Sequence, residues 1–536
     1  MPLRLVISRL GIHLHKYLFS AILILILIFM LNVCYFARVN AASSTSSIVT
    51  HHMTAQAKAG PVISDPRLKA EVVFRGLKFP TAMAFLGPND FLVLEKNSGT
   101  VQRVINGKAI PSPLLHINVL NGAERGLLGI AVSKHGNMTG NVTADVFLYY
   151  TKLVRTNTTT LSGPHTATKT VSSSKTSHAN STASVTGTPT ITTTTSNTTT
   201  STNMTKITTT TDTVHSRLSK YELINNKLAN PKVILDLTTN PGVYKTPDHL
   251  GGKILIGPDK NLYLGVGDAG GHMTQALNVK VGPPPDGTGG ILRLTPYGQP
   301  LSSNPLGGNY PRNLYYAYGI RNTFGMDFDP VTHKLWDTEN GPSFGDEINL
   351  VEPGFNSGWR KVQGMWKPDA NRSNYFPETY NITINPINNN NLMDFGGKGK
   401  YRVPELVWYN TVGPSALKFL DSDKLGKQYE NDMLVGDFHN GNLYDFHLNK
   451  NRTGLVFGNH QPTNYIIKNN TVLSGTILGH GFGGITDIQI GYDGYPYILS
   501  LEVGGDDCNV LYPNIPCVPY GSTITGTIFR IVPINK

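Results

Sequence analysis

The chain has 536 residues, 15 % of them charged, with 55 Gly, 34 Pro and a formal net charge of +11. That length holds one large domain with additions or two to three average ones, and the Gly and Pro content suits many short strands and turns; no stretch has the spacing of a long amphipathic helix. The Lys and Arg residues are scattered rather than striped, which argues against a nucleic-acid interface.

In chain order, residues 1–16 carry Arg4, Arg9 and Lys16 and no acid, and form a basic cytoplasmic N-terminus. The uncharged run Tyr17–Phe36 that follows is long enough to span hydrocarbon, and the predicted segment is 17–38. Basic residues before the span favour an N-terminus inside and an exported remainder. Val39-Asn40-Ala41 has the small-residue spacing of a cleavage site, although the apolar core is long for a cleaved signal, so signal and retained anchor both stand. The expected location is the cell membrane, as a single-pass protein, or the extracellular space.

Residues 39–67 read as a flexible tether, with regular structure from 68 to 534. Over 155–215 more than half the residues are Thr or Ser. Such a stretch buries too little apolar surface to offset chain entropy and is expected to be a disordered, glycosylated insertion. The flanking segments Asp145–Val154 and Val214–Leu223 are strand-like and would pair if it were deleted. Asn-x-Ser/Thr sequons at Asn137, Asn141, Asn157, Asn180, Asn197, Asn203, Asn371, Asn381, Asn451 and Asn469 agree with export. Cys508 and Cys517 bracket a short loop and, outside the cytoplasm, either close a disulfide or remain two thiols.

Phe85–Lys96, Ile256–Asp268, Phe328–Asn340 and Ile490–Glu502 share one plan: a Pro/Asp/Gly/Asn turn, an apolar-aromatic strand and a polar or acidic strand end. A turn and buried strand repeated at wide intervals is the sign of propeller blades. The predicted fold is all-β, a six-bladed β-propeller preceded by one N-terminal transmembrane or signal helix; without the insertion, about 400 residues fit about six four-stranded blades.

Four segments place polar residues beside glycines at strand ends, where a propeller keeps its channel mouth. In Pro247–Gly271, two strands of one blade would bring His249 and Asp268 to one rim, and a carboxylate beside an imidazole fixes its tautomer and raises its basicity. In Tyr315–Pro330, Arg321-Asn322 interrupt an aromatic run, and an arginine there needs an anion or carboxylate. In Asp337–Trp359, Glu339, Asp346 and Glu347 surround the Gly341-Pro342 turn, a mixture of carboxylates and carbonyls that suits a hard cation. In Asn121–Val132, Glu124-Arg125 lead into a Gly-rich strand, as a ligand contact or a turn ion pair.

Four motifs give these segments a family likeness: DHLGGKILIGPD from Asp248, GDAG from Gly267, YGIRNTFG from Tyr318 and ENGPSFGDEINL from Glu339. With them, the chain from about Leu68 to Ile534, minus the insertion, resembles the soluble quinoprotein glucose dehydrogenases and aldose sugar dehydrogenases. The resemblance implies a six-bladed propeller holding pyrroloquinoline quinone with calcium, a sugar or polyol substrate and an extracytoplasmic electron acceptor. His249 would be the base and Asp268 its orienter; Arg321 would act in catalysis and, with Asn322, hold the quinone. Glu124, Asp248, Lys253 and Lys418 are further cofactor-binding candidates. The Gly341 and Pro342 carbonyls would hold the active-site calcium, and Asp346 and Glu347 lie in a stretch that binds structural calcium in some members.

The chain departs from the family pattern at Glu124, where many members have Gln, and at Thr486, where an Arg is common. Lys418 is then the expected late-blade cation, with Lys253 and Arg125 as compensation. The missing cations favour an alternative reading, a non-catalytic propeller binding a glycan or protein ligand, as hedgehog-interacting proteins do. The set His249, Asp268 and Arg321 favours the dehydrogenase. A lactonase-like hydrolase would need a metal-centred carboxylate cluster in the channel, and the sequence shows none.

Overall fold

The strand Asp90–Glu95 shows how the chain is built. Its sequence DFLVLE is buried on both faces, the mark of a strand between two packed layers rather than one with a wet side. Leu92 and Leu94 pack with Leu127, Val146 and Leu148 of the following sheet. Phe91 and Val93, on the opposite face, pack with Tyr497, Leu499 and Ile528 from the far end of the chain.

The computed structural model describes residues 60–135, 143–162, 169–173, 195–200, 204–240, 248–366, 392–457, 465–468, 475–501 and 525–534, within one compact unit, Gly60–Lys536. These strands form six sheets of four to six strands, with no α-helix among the described residues. Between consecutive sheets lies an apolar cluster, and the last sheet packs on the first, so the layers close in a ring. The sixth sheet joins the two ends of the fold: Leu68–Lys78 pairs antiparallel with Thr525–Pro533. This is an all-β, propeller-like arrangement. The repeated sequence units fall where expected, in the hairpins 80–87/90–95, 254–256/262–266, 323–328/335–339 and 484–490/496–501.

Two expectations are corrected. The segment 155–215 is not disordered throughout: Thr143–Ser162 and Met204–Ile224 form one long antiparallel ladder that passes Val154–Thr213 and runs on to Ser162–Thr205. An established register templates the next pair, and β-branched Thr suits an extended backbone although it supplies no core. The tether also ends early. Val62–Ile63 pairs with Ile477–His480, and Asp65 accepts the Arg67 N–H at 2.9 Å and the Tyr429 hydroxyl at 2.8 Å, so the ordered chain starts before Leu68.

Residues 17–38, Cys508, Cys517 and the sequons at Asn137, Asn141, Asn180, Asn203, Asn371, Asn381 and Asn469 lie outside the described residues. Among the described residues no helix is long and apolar enough to cross a membrane.

Candidate active site

The first strand of each sheet, or the loop entering it, reaches the same cavity. Thr81 and Ala82, Leu128 to Ile130, Gly251 to Ile254, Arg321, Asn322 and Phe324, Gly413 and Ser415, and Thr486 and Asp487 line a volume of about 570 Å³, within the range of small-molecule sites.

His249 enters this wall in a left-handed backbone conformation, φ +61°, which is uncommon for a side chain with a Cβ and concentrates at functional sites. Gly267 makes the arrangement possible: a Cβ there would lie 2.2 Å from the His249 carbonyl oxygen and 2.8 Å from that of Arg321. Through that gap Asp268 N–H donates to the Arg321 carbonyl at 2.8 Å and Ala269 N–H to that of His249 at 3.0 Å. One glycine thus draws three segments together.

The side chains complete a relay. His249 Nδ1 is 2.7 Å from Asp268 Oδ1 and Nε2 is 2.7 Å from Arg321 Nη2. A guanidinium only donates, so Nε2 accepts and the ring proton sits on Nδ1, donated to Asp268. Asp268 is fully buried and also accepts Trp359 Nε1–H at 2.7 Å and Gly271 N–H at 3.0 Å. Burial pushes its carboxyl up, but His249, Arg321 and the Trp359 hydrogen bond outweigh burial and hold it below the usual range. Arg321 lies over the Trp359 ring at 5.6 Å, donates Nη1–H to the Asn340 carbonyl at 2.8 Å, and keeps a buried Nε–H without a partner.

Glu124, Asp248, Asn322 and Lys253 all line the cavity. Glu124 accepts Leu250 N–H at 3.0 Å and the Asn322 amide at 3.2 Å, and Asn322 Oδ1 accepts Gly251 N–H at 3.1 Å. These two side chains therefore hold the His249 segment in place. Lys253 is tied to Asp487 at 2.7 Å. Lys418 does not reach the cavity: it lies three residues beyond Ser415, about 10 Å along a strand, and pairs with Asp327 at 3.0 Å. Arg125 stands behind the wall, where burial pushes its guanidinium down to about 10.

The four metal-ligand candidates separate. Gly341, Pro342 and Asp346 line the cavity, and Glu347 does not, because neighbours on Phe344–Val351 point to opposite faces. Asp346 uses its oxygens on backbone: Gly341 N–H at 2.8 Å, Val412 N–H at 2.7 Å and Gly413 N–H at 2.8 Å. It braces one cavity loop against the next and has little left for an ion.

Glu347 opens instead on a buried acidic chamber with Glu339 and Asp337. Ser357 Oγ lies 2.6 Å from Glu339 Oε2 and 3.1 Å from Glu347 Oε2, and its single proton serves only one of them. Burial, with the neighbouring acids, pushes Glu339 well above the carboxylate range; burial pushes Glu347 up to about 8 and Asp337 up to about 7. Asp337 Oδ1, Asn349 Oδ1 and Gln363 Oε1 are buried acceptors without donors. These acids have no lysine or arginine ion-paired to them among the described residues, and their all-oxygen chemistry is of the kind calcium prefers, but the three carboxylates do not converge on one point as Asp432, Asp445 and His447 do. Glu339 also accepts Arg321 N–H at 2.7 Å, so the chamber is one bond from the relay.

Sequence reasoning missed Trp359, Lys96 and His439. Lys96 and His439 line the cavity, and Lys96 donates to the Ala123 carbonyl at 2.7 Å and the Arg125 carbonyl at 3.0 Å. Lys96 was findable, since it closes its repeated unit as Asp268 closes its own.

The profile of the family described as Glucose / Sorbosone dehydrogenase matches residues 77–506. The aldose sugar dehydrogenase YliI of Escherichia coli strain K12 is 25 % identical over 263 residues, 49 % of this chain and 59 % of that one. Quinoprotein glucose dehydrogenase B of Acinetobacter calcoaceticus is 33 % identical over 142 residues, 24 % of this chain and 29 % of that one. Both alignments span less than two thirds of the relative. Among solved structures, the soluble aldose sugar dehydrogenase of Escherichia coli in its apo-form superposes with a TM-score of 0.54 at 17 % identity, over 87 % of this chain and 100 % of that one, a likeness of fold.

Proposed function

Because the chain belongs to the glucose/sorbosone dehydrogenase family, we propose that this cavity oxidises a sugar or polyol hydroxyl, with the six sheets serving as six blades around it. The observation that carries the reading is His249, held as the Nδ1–H tautomer so that the Nε2 lone pair is the basic position.

Pyrroloquinoline quinone, a tricarboxylate, would supply when bound a two-electron acceptor for hydride, which calcium would polarise. The residues present fit an anion of this kind. Arg321 spends its charge on two neutral acceptors and keeps a buried donor unused, and Lys96 and Asn322 line the same cavity, while Lys253 is held by Asp487. The Gly341-Pro342 turn and the Glu339–Glu347 chamber are the places for calcium. An anion at Arg321 competes with the imidazole for the guanidinium and so exposes Nε2 to the substrate hydroxyl. His249 then takes the hydroxyl proton, hydride leaves the same carbon, and the C–O bond becomes a carbonyl. Asp268 stabilises the imidazolium without taking the proton itself.

The location belongs to the same reading. The Tyr17–Phe36 run, its basic flank and the sequons support a single-pass or secreted protein with its catalytic unit outside the cytoplasm, passing electrons to an acceptor there. Asn451, in one of these sequons, stands exposed on a turn. Mass spectrometry of the non-reduced protein tests this: bare sequons with Cys508 and Cys517 both as thiols argue against export.

One observation favours the second reading, a non-catalytic propeller for a glycan or protein ligand: the fifth and sixth sheets present Ser415 and Thr486 to the cavity and Lys418 is turned to Asp327. Loss of two charge-assisted contacts costs about 1.5–3 kcal/mol each. Reconstitution with pyrroloquinoline quinone and calcium, followed by dye reduction across a sugar panel, separates the two. Turnover supports the dehydrogenase, and failure to bind quinone at any calcium concentration supports the binding propeller.

A further inference from the structure

The fifth sheet carries a second polar cluster, none of whose members lines the cavity. Asp445 and His447 are two residues apart on the strand Leu443–Leu448 and so share a face. Antiparallel pairing of Leu434 with Asp445 and of Met433 with Phe446 sets Asp432 across from His447. The other face of the strand is spent on the core, through Tyr444 and Phe446.

Each of the three residues offers one ligand atom, and these atoms lie within 4.8 Å of one another. His447 Nδ1 pairs with Asp432 Oδ2 at 2.8 Å, and Asp445 Oδ1 is buried without a hydrogen-bond donor. Asp432 is only 6 % exposed. The buried Asp445 Oδ1, with no donor, is costly unless something else satisfies it. No lysine or arginine among the described residues forms an ion pair with either acid. His447 has 57 % of its side chain in solvent, which leaves the cluster open to an ion from outside.

We propose that Asp432, Asp445 and His447 form a binding site for a divalent transition-metal ion of the zinc class, with water completing its coordination. Two carboxylate oxygens and one imidazole nitrogen suit zinc or manganese; calcium prefers an all-oxygen set such as the Glu347 chamber. The site has a structural consequence. Asp445 N–H donates to the Thr476 carbonyl at 2.7 Å, and the adjoining strand Ile477–His480 receives Val62–Ile63. A bound ion would fix the corner where the N-terminal segment docks.

The test is calorimetric titration of zinc chloride into the untagged full-length chain, stripped of metal and then held in saturating calcium to fill all-oxygen sites. One zinc equivalent is expected, weakened at least about tenfold in His447→Ala and in the isosteric Asp445→Asn, as loss of a ligand requires. Far-ultraviolet circular dichroism of both variants should match the wild type. Absence of a zinc equivalent overturns the proposal, and so does an equivalent retained at wild-type affinity in both variants.

Discussion

Arg321 Nη2 lies 2.7 Å from His249 Nε2, so the cavity's principal cation occupies the lone pair that its base must use. The contact defines the tautomer, since the guanidinium has no lone pair to offer in return. It also couples two events: whatever anion draws Arg321 away makes His249 available. On the proposed function, base and cofactor site form one assembly, so removing either partner should have distinct consequences.

If the acidic chamber holds calcium, as proposed, its effect on stability should depend on pH. Glu347 and Asp337 are pushed up to about 8 and about 7 by burial, above unfolded values of about 4. Between those values the metal-free folded state binds more protons than the unfolded chain, so stability is fully present below about pH 4 and is lost as pH rises through 7 and 8. Melting temperature in chelator should fall between pH 6 and pH 8.5, and added calcium should remove most of the fall. A calcium-independent, flat profile would show that these acids are satisfied without a cation.

Asp346 braces two loops. Its oxygens receive three backbone N–H groups from Gly341, Val412 and Gly413. Asp346→Ala leaves these donors unpaired in a buried site, at about 1–3 kcal/mol each where water does not replace the carboxylate. Chemical denaturation should show a loss of at least about 3 kcal/mol. A loss below about 1 kcal/mol would mean that the loops hold without it.

The long ladder allows a clean truncation. Val154 and Thr213 are register partners, so replacing 155–212 with a two-residue Asn-Gly turn should close the hairpin without disturbing the sheet. The melting temperature should stay within the roughly 2–4 °C that 1 kcal/mol shifts a large domain. A drop of about ten degrees would show that the removed segment packs on the body.

Much of this was legible in the sequence, for identifiable reasons. His249 and Asp268 stand at glycine-flanked ends of apolar strands, where alternation and turn chemistry place them without tertiary information. Asp346 and Glu347 are adjacent in sequence, and which side of the strand each faces is not legible until the register is known. Where Lys418 reaches was not legible, because distance along a strand decides reach and the bulge between Pro414 and Ala416 hides the strand's entry. Trp359 meets Asp268 across 91 residues of chain, a pairing only the closed ring creates. The Thr-rich ladder was missed because low apolar content suggests disorder, whereas an adjoining paired strand extends it.

The role of His249 as base of a quinone-dependent oxidation is tested most directly by the turnover of His249→Gln at saturating pyrroloquinoline quinone and calcium, beside a direct measurement of quinone affinity. Losing a general base costs about 10²–10⁴-fold in rate, so turnover should fall by that factor while affinity stays within a few fold of wild type. Arg321→Ala should lose affinity and rate together, and Asp268→Asn should fall between, since it disturbs the tautomer without removing the base. Wild-type turnover in His249→Gln would show that His249 is not the base.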